Sequence, residues 1–319
     1  SSLKNNKFYI LPILMNKFFK KIFYTFTLIL ILSLVIQLII FLSLENKGEF
    51  YAQSDWHLLG ELNSEILFLG NSATACHVKA VIIDSSFNTK TTILAQNGYS
   101  IMFLYHKLKH YLLENNSPLE LYVQASLFEF ENKKLFEAHR FSMYFFNDYI
   151  NMSFLKGYDG YHDWFRYIPI LANDLRTIIK VLFNFQIKEN DKFLTNNGYY
   201  PILNSQYHRG SFNTNKKYYN LDYIDSLYVI SNSLDIDLYF FAPPITFHNY
   251  EKITNNAIFG NIIKEKNKQY KSNANYIDFN NISYSDTSIF YNDNHLNQLG
   301  SIKFTKDLIN EDSFFKKFR

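Results

Sequence analysis

The feature that most limits how this chain can fold is an unbroken apolar run near its N-terminus. From Ile22 to Leu44 there are 23 residues without a formal charge, IFYTFTLILILSLVIQLIIFLSL, and Gln37 is the only strongly polar side chain among them. At 1.5 Å per residue, about 20 helical residues cross the hydrocarbon layer of a bilayer. The run therefore predicts a transmembrane helix over 22–44. Lys4, Lys7, Lys17, Lys20 and Lys21 precede it, whereas Glu45 and Glu49 follow with only Lys47 between them. The positive-inside bias then keeps residues 1–21 in the cytoplasm and sends everything after about residue 46 outside. A cleaved signal peptide has an apolar region of about 7 to 15 residues and a small-residue cleavage site. Neither fits, so an uncleaved signal anchor is expected. Met15 opens MNKFFKKIF, which looks more like a natural start than SSLKNNKFY.

Beyond a polar connector at 45–61, residues 62–319 are expected to form one α/β domain. Short apolar runs at Glu65–Leu69, Thr91–Ala95, Leu119–Ala125, Ile236–Phe241 and Ala274–Phe279 read as buried strands. Between the second and third, Tyr99–Glu114 carries apolar residues at helical spacing, with Pro118 soon after its end. This alternation predicts a three-layer α/β/α sandwich on a mainly parallel, flavodoxin-like sheet. Residues from about 131 to 215 break the rhythm and are expected to be a helical insertion over the strand ends, with a helix near Ile168–Phe185. Leu296–Lys306, followed by Asp307–Glu311, reads as a C-terminal helix.

Bulk composition narrows the function classes. A formal charge of +3 in 319 residues, with no long basic patch outside the N-terminus, gives nucleic-acid binding no support. Cys76 is the single cysteine, which excludes an intrachain disulfide and a cysteine-based zinc site. The 25 Tyr and 32 Phe reflect a bias toward A- and T-rich codons, so their abundance is poor support for sugar or base stacking.

The sharpest local feature is Leu67-Phe68-Leu69-Gly70-Asn71-Ser72, an apolar strand that delivers a serine to the start of a helix. A serine there lies at the C-terminal edge of the sheet, near backbone N–H groups able to stabilise an oxyanion. Taken alone it is equally a helix N-cap. Its weight comes from the far end of the chain, where Asn292-Asp293-Asn294-His295-Leu296-Asn297 precedes Gly300 and a helix. A histidine in that place is positioned to serve a serine after the first strand.

With these blocks the span from about 62 to 310 resembles the SGNH hydrolases, in particular their divergent membrane-anchored branch, similar to the teichoic acid D-alanyl-transfer and alginate O-acetylation proteins. The resemblance implies Ser72 as nucleophile and His295 as its base, with Gly98 supplying an oxyanion-hole N–H. The family's acid stands three residues before the histidine, where this chain has Asn292; the carboxylate is Asp293, two before. Either Asp293 or Asn292 is then expected to orient the imidazole. The family's Gly-x-Asn-Asp block is missing after the third strand, and Asn97 or Gln124 is the candidate replacement donor. The resemblance further implies an acylated cell-envelope glycan or a small ester as substrate, a membrane-bound O-acyltransferase as partner, an extracytoplasmic location and no cofactor or metal.

Other readings attach to the same residues. His106 and His110 lie four apart on one helix, a metal-ligand spacing, but without an adjacent Glu or a third ligand a plain helix face is the better account. His77 is expected to point away from the strand edge, and Cys76 to be a small buried residue. Pro243-Pro244 enforces an extended exit from the fourth strand, with His248 a weak site candidate in that loop. A catalytically silent assembly component that keeps the fold, or an unrelated anchored α/β protein, are the rival functions.

Overall fold

The computed structural model describes residues 6–46, 62–95, 101–125, 202, 207, 221–246, 256–281 and 284–319 of the chain. Its sheet is made of β1 (Ile66–Gly70), β2 (Thr91–Ala95), β3 (Glu120–Gln124), β4 (Asp237–Ala242) and β5 (Asn275–Asp278). All pairings are parallel, in the order β2-β1-β3-β4-β5. Every residue of β1, β2 and β3 is buried, the state of parallel strands covered on both faces. This is why their sequences do not alternate between apolar and polar residues.

Seven α-helices accompany the sheet among the described residues: α1 (Asn6–Asn46), α2 (Ser72–His77), α3 (Ala80–Phe87), α4 (Ile101–Glu114), α5 (Asp222–Ser233), α6 (Asn256–Tyr270) and α7 (Gln298–Asn310). On one face, Ile66 and Phe68 of β1 join Ala75, Ile83, Phe304 and Leu308 from α2, α3 and α7 in a single core. On the other, Phe240 of β4 meets Tyr228 of α5 and Phe259 of α6, and α4 packs on β1, β2 and α5. The expected α/β/α layering and flavodoxin-like strand order are therefore present.

The expected C-terminal helix starts two residues late. Asn297 caps it by accepting hydrogen bonds at Oδ1 from Leu299 N and Gly300 N, and amide side chains at this position are strong helix initiators. Freed from the helix, His295–Leu296 forms β7, which pairs antiparallel with β6 (Phe290–Asn292). Gly300 permits the close start, because a Cβ there would lie 2.2 Å from the Ile289 carbonyl oxygen. The insertion expected at about 131–215 lies outside the described residues apart from Ile202 and Tyr207, and the helix expected at Ile168–Phe185 lies wholly outside them.

α1 and the sheet belong to separate compact units. Within α1, the 22 residues Met15–Ile36 are long and apolar enough to cross a membrane by length and composition, spanning about 33 Å. Phe18, Phe23, Phe26, Leu28, Ile29 and Leu32 all stand exposed on it.

Among the described residues, several aromatic side chains form core. Phe68, Tyr122 and Tyr239 occupy matching register positions on β1, β3 and β4. Their rings stack at 4.7 and 4.8 Å between centroids, which is the inter-strand spacing itself. Phe315 closes the row, stacked 5.0 Å from Tyr122. The Tyr122 hydroxyl donates to the buried Glu120 carboxylate at 2.6 Å and accepts from Phe315 N at 2.7 Å. Burial raises the Glu120 carboxyl above the usual range, and the bonds from Lys317 N and Tyr122 oppose that rise. Tyr122→Phe removes one oxygen and leaves two buried partners unmatched, so it is expected to cost about 1–3 kcal/mol. Urea unfolding of the detergent-solubilised protein measures this, and an unchanged midpoint would show that the hydroxyl does not anchor the tail.

Candidate active site

β1 ends at the C-terminal edge of the sheet with β2 on one side and β3 on the other, the switch point at which such sheets bind ligands. The chain turns there into α2 through Gly70 and Asn71, and the turn is held by one oxygen. Gln124 Oε1, at the end of β3, accepts from Asn71 N at 3.1 Å, Thr74 N at 3.2 Å and Thr74 Oγ1 at 2.5 Å. So close an approach requires glycine, since a Cβ on Gly70 would lie 2.0 Å from Thr74 Oγ1 and 2.8 Å from Gln124 Oε1. Asn71 caps the helix through Ala73 N at 2.8 Å, and its carbonyl accepts from Ala75 N at 3.1 Å. Ser72 is left as the first helical residue, and among the described residues its N–H has no acceptor.

The β6–β7 hairpin packs against α2. Asn292 Oδ1 accepts from Asn294 N at 3.1 Å and His295 N at 2.9 Å, and lies 2.9 Å from His295 Nδ1. Two backbone donors on this atom identify it as the amide oxygen, so Nδ1 carries the imidazole proton. His295 Nε2 is then a bare lone pair, 2.8 Å from Ser72 Oγ, and the serine hydroxyl donates to it. Two residues 223 positions apart in sequence thus form a hydroxyl–imidazole pair, the geometry in which a base activates an alcohol. Burial pushes His295 down to about 4, which keeps the ring neutral at ordinary pH.

Of the two residues expected to orient the imidazole, Asn292 is in place and Asp293 is not. Asn292 ends β6, and Asp293 begins the turn. Asp293 is buried, and its Oδ1 accepts from the hydroxyls of Tyr207 and of Thr246, the latter at 3.2 Å. Its carbonyl accepts from Thr246 N at 3.0 Å. The carboxylate therefore ties the hairpin to the segment leaving β4 through Pro243-Pro244, a contact with no local sequence signal. Gln124 is likewise placed as the clamp of the serine turn. Asn97, Gly98 and His248 lie outside the described residues.

His77 corrects an expectation. It ends α2 and reaches the other half of the site, accepting at Nε2 from Leu296 N at 2.9 Å. Cys76 is buried, and burial pushes its thiol up to about 12. His106 and His110 are buried on α4, and burial lowers both, His106 to about 4. Among the described residues no three His, Cys, Asp or Glu side chains gather to hold a metal.

An imidazole accepts a proton only above its pKa, and an amide at Nδ1 gives the imidazolium no opposing charge. The His295 ring is therefore expected to titrate near pH 4 by NMR, and Asn292→Asp to move that midpoint up toward the ordinary histidine range. A wild-type midpoint at or above 6.5 would contradict the buried, amide-oriented geometry. Neither a protein-family model nor a curated protein matches this chain.

Proposed function

We propose that this chain is a membrane-anchored serine esterase or O-acyltransferase of the SGNH hydrolase type, working through an acyl-Ser72 intermediate. The observation that carries the reading is the 2.8 Å bond between Ser72 Oγ and His295 Nε2, with Asn292 holding the other ring nitrogen at 2.9 Å. Further support comes from the place of Ser72 at the switch point of the sheet and from its uncommitted N–H.

His295 Nε2 takes the Ser72 proton as Oγ attacks an ester carbonyl carbon and the carbonyl becomes an oxyanion. Ser72 N–H donates to that oxyanion, and Gly98 N–H is the second donor implied by the family resemblance. Collapse breaks the ester C–O bond, and the leaving alcohol takes the proton back from His295. Water or a sugar hydroxyl then repeats the sequence on acyl-Ser72 through the same base. The apolar run of α1 and the lysines before that run favour an envelope glycan as acceptor, with the domain outside the membrane and the acyl group delivered by a membrane-bound O-acyltransferase. A second reading, a silent assembly component, draws on the amide at Asn292 where related sites place a carboxylate.

A fluorophosphonate probe separates the two. Wild-type protein is expected to label, Ser72→Ala to show no labelling, and His295→Ala to label about 100-fold to 10,000-fold more slowly, the usual share of a general base. Labelling that persists in Ser72→Ala sinks the nucleophile, and a wild type that never labels favours the silent component.

A further inference from the structure

α2 is only six residues long, with Ser72 at its first position and His77 at its last. Five steps of 1.5 Å separate them by about 7.5 Å along the axis. The His77 ring is fully buried. Its Nε2 accepts from Leu296 N at 2.9 Å, which assigns its proton to Nδ1. That Nδ1 has no hydrogen-bond partner among the described residues. A buried donor left unmatched costs about 1–3 kcal/mol, so as a core filler this histidine is a poor choice beside leucine.

What the histidine supplies is an acceptor at one place. In the turn that carries His295, Asn292 Oδ1 holds the amides of Asn294 and His295, and the Ile289 carbonyl holds Asn297 N. Those acceptors all belong to the hairpin itself. Leu296 N alone is held from the helix that begins with Ser72. Leu296 is buried, so removing His77 would strand that N–H away from water. The His77 ring also lies edge-on to the His295 ring, with centroids 6.5 Å apart. Its own place is fixed from behind, where Phe304 packs edge-to-face on it at 5.8 Å and Thr305 Oγ1 donates to its carbonyl at 3.2 Å. Burial lowers its pKa well below the usual value, with His295 beside it acting in the same direction and the Asn294 backbone opposing them, so the accepting lone pair stays available.

We propose that His77 is a positioning residue for the Ser72–His295 pair, its Nε2 tying the strand that carries the imidazole to the helix that carries the hydroxyl. The proposal rests on the acyl-enzyme reading of the preceding subsection. Misplacing a base by about 1 Å costs on the order of 100-fold in rate, so the bond acts on rate as well as on stability.

Two amide substitutions isolate that bond, because the glutamine amide reaches the place of imidazole Nε2 while the asparagine amide reaches only that of Nδ1. In the full chain in detergent, His77→Gln is expected to label with the fluorophosphonate within about 3-fold of the wild-type rate, and His77→Asn about 10-fold to 100-fold more slowly. Amide exchange at Leu296 should be slow in wild type and His77→Gln and fast in His77→Asn. Both variants bury one polar amide, so a purely structural role would slow labelling in both alike. Equal labelling rates for the two, or a His77→Asn variant as fast as wild type, overturn the positioning role and leave the acyl-enzyme reading standing. A wild type that does not label overturns the acyl-enzyme reading and this proposal with it.

Discussion

Two side-chain amide oxygens hold this molecule's site together, and each accepts three hydrogen bonds. Gln124 Oε1 bends the end of β1 into α2 and so presents Ser72. Asn292 Oδ1 folds the hairpin back on itself and so presents His295. Gln124 is buried, where a neutral amide is far cheaper than a carboxylate, and Asn292 is half-buried. The amide at Asn292 also sets the chemistry of the ring it holds: it fixes the tautomer without stabilising the charged form, so burial is left to govern the affinity of His295 for a proton. The site is consequently one of neutral groups at rest, ordered by geometry more than by charge.

The sheet delivers these two oxygens to one place by register. Gln124 lies beyond the last paired residue of β3 facing β1, with Leu69 opposite Val123, and that offset brings its amide under the Gly70 turn. Rings of Phe68, Tyr122 and Tyr239 stacked across three strands keep the register from slipping, since a shift of one residue would turn each ring to the opposite face. Core packing and site geometry therefore share one set of strands.

How much of this was legible in the sequence divides by range. The five strand runs could be read because each is a short, mainly apolar stretch, Ser72 because it follows such a run, and His295 because it stands in a recognisable block before the last helix. The choice between Asn292 and Asp293 was not, because it depends on which side of a hairpin turn each side chain leaves, and the turn lies in an irregular register. Tyr207 and Thr246 carried no signal, since their meeting with Asp293 is set by segments 86 and 47 residues away. The role of His77 was not legible for a local reason: α2 is so short that its far end reaches the other half of the site. The many aromatic residues, uninformative as a count, became meaningful once their strand register was known.

The separation of 223 residues between serine and imidazole has a consequence in time. A ribosome adding about 5–20 residues per second takes roughly 10–45 s to pass from one to the other. Throughout that interval the growing chain holds the hydroxyl of Ser72 without its basic neighbour. Loop closure over so long a stretch is also among the slower steps of folding. The Ser72–His295 bond thus forms only when the β6–β7 hairpin docks on α2, after nearly the whole chain has been made.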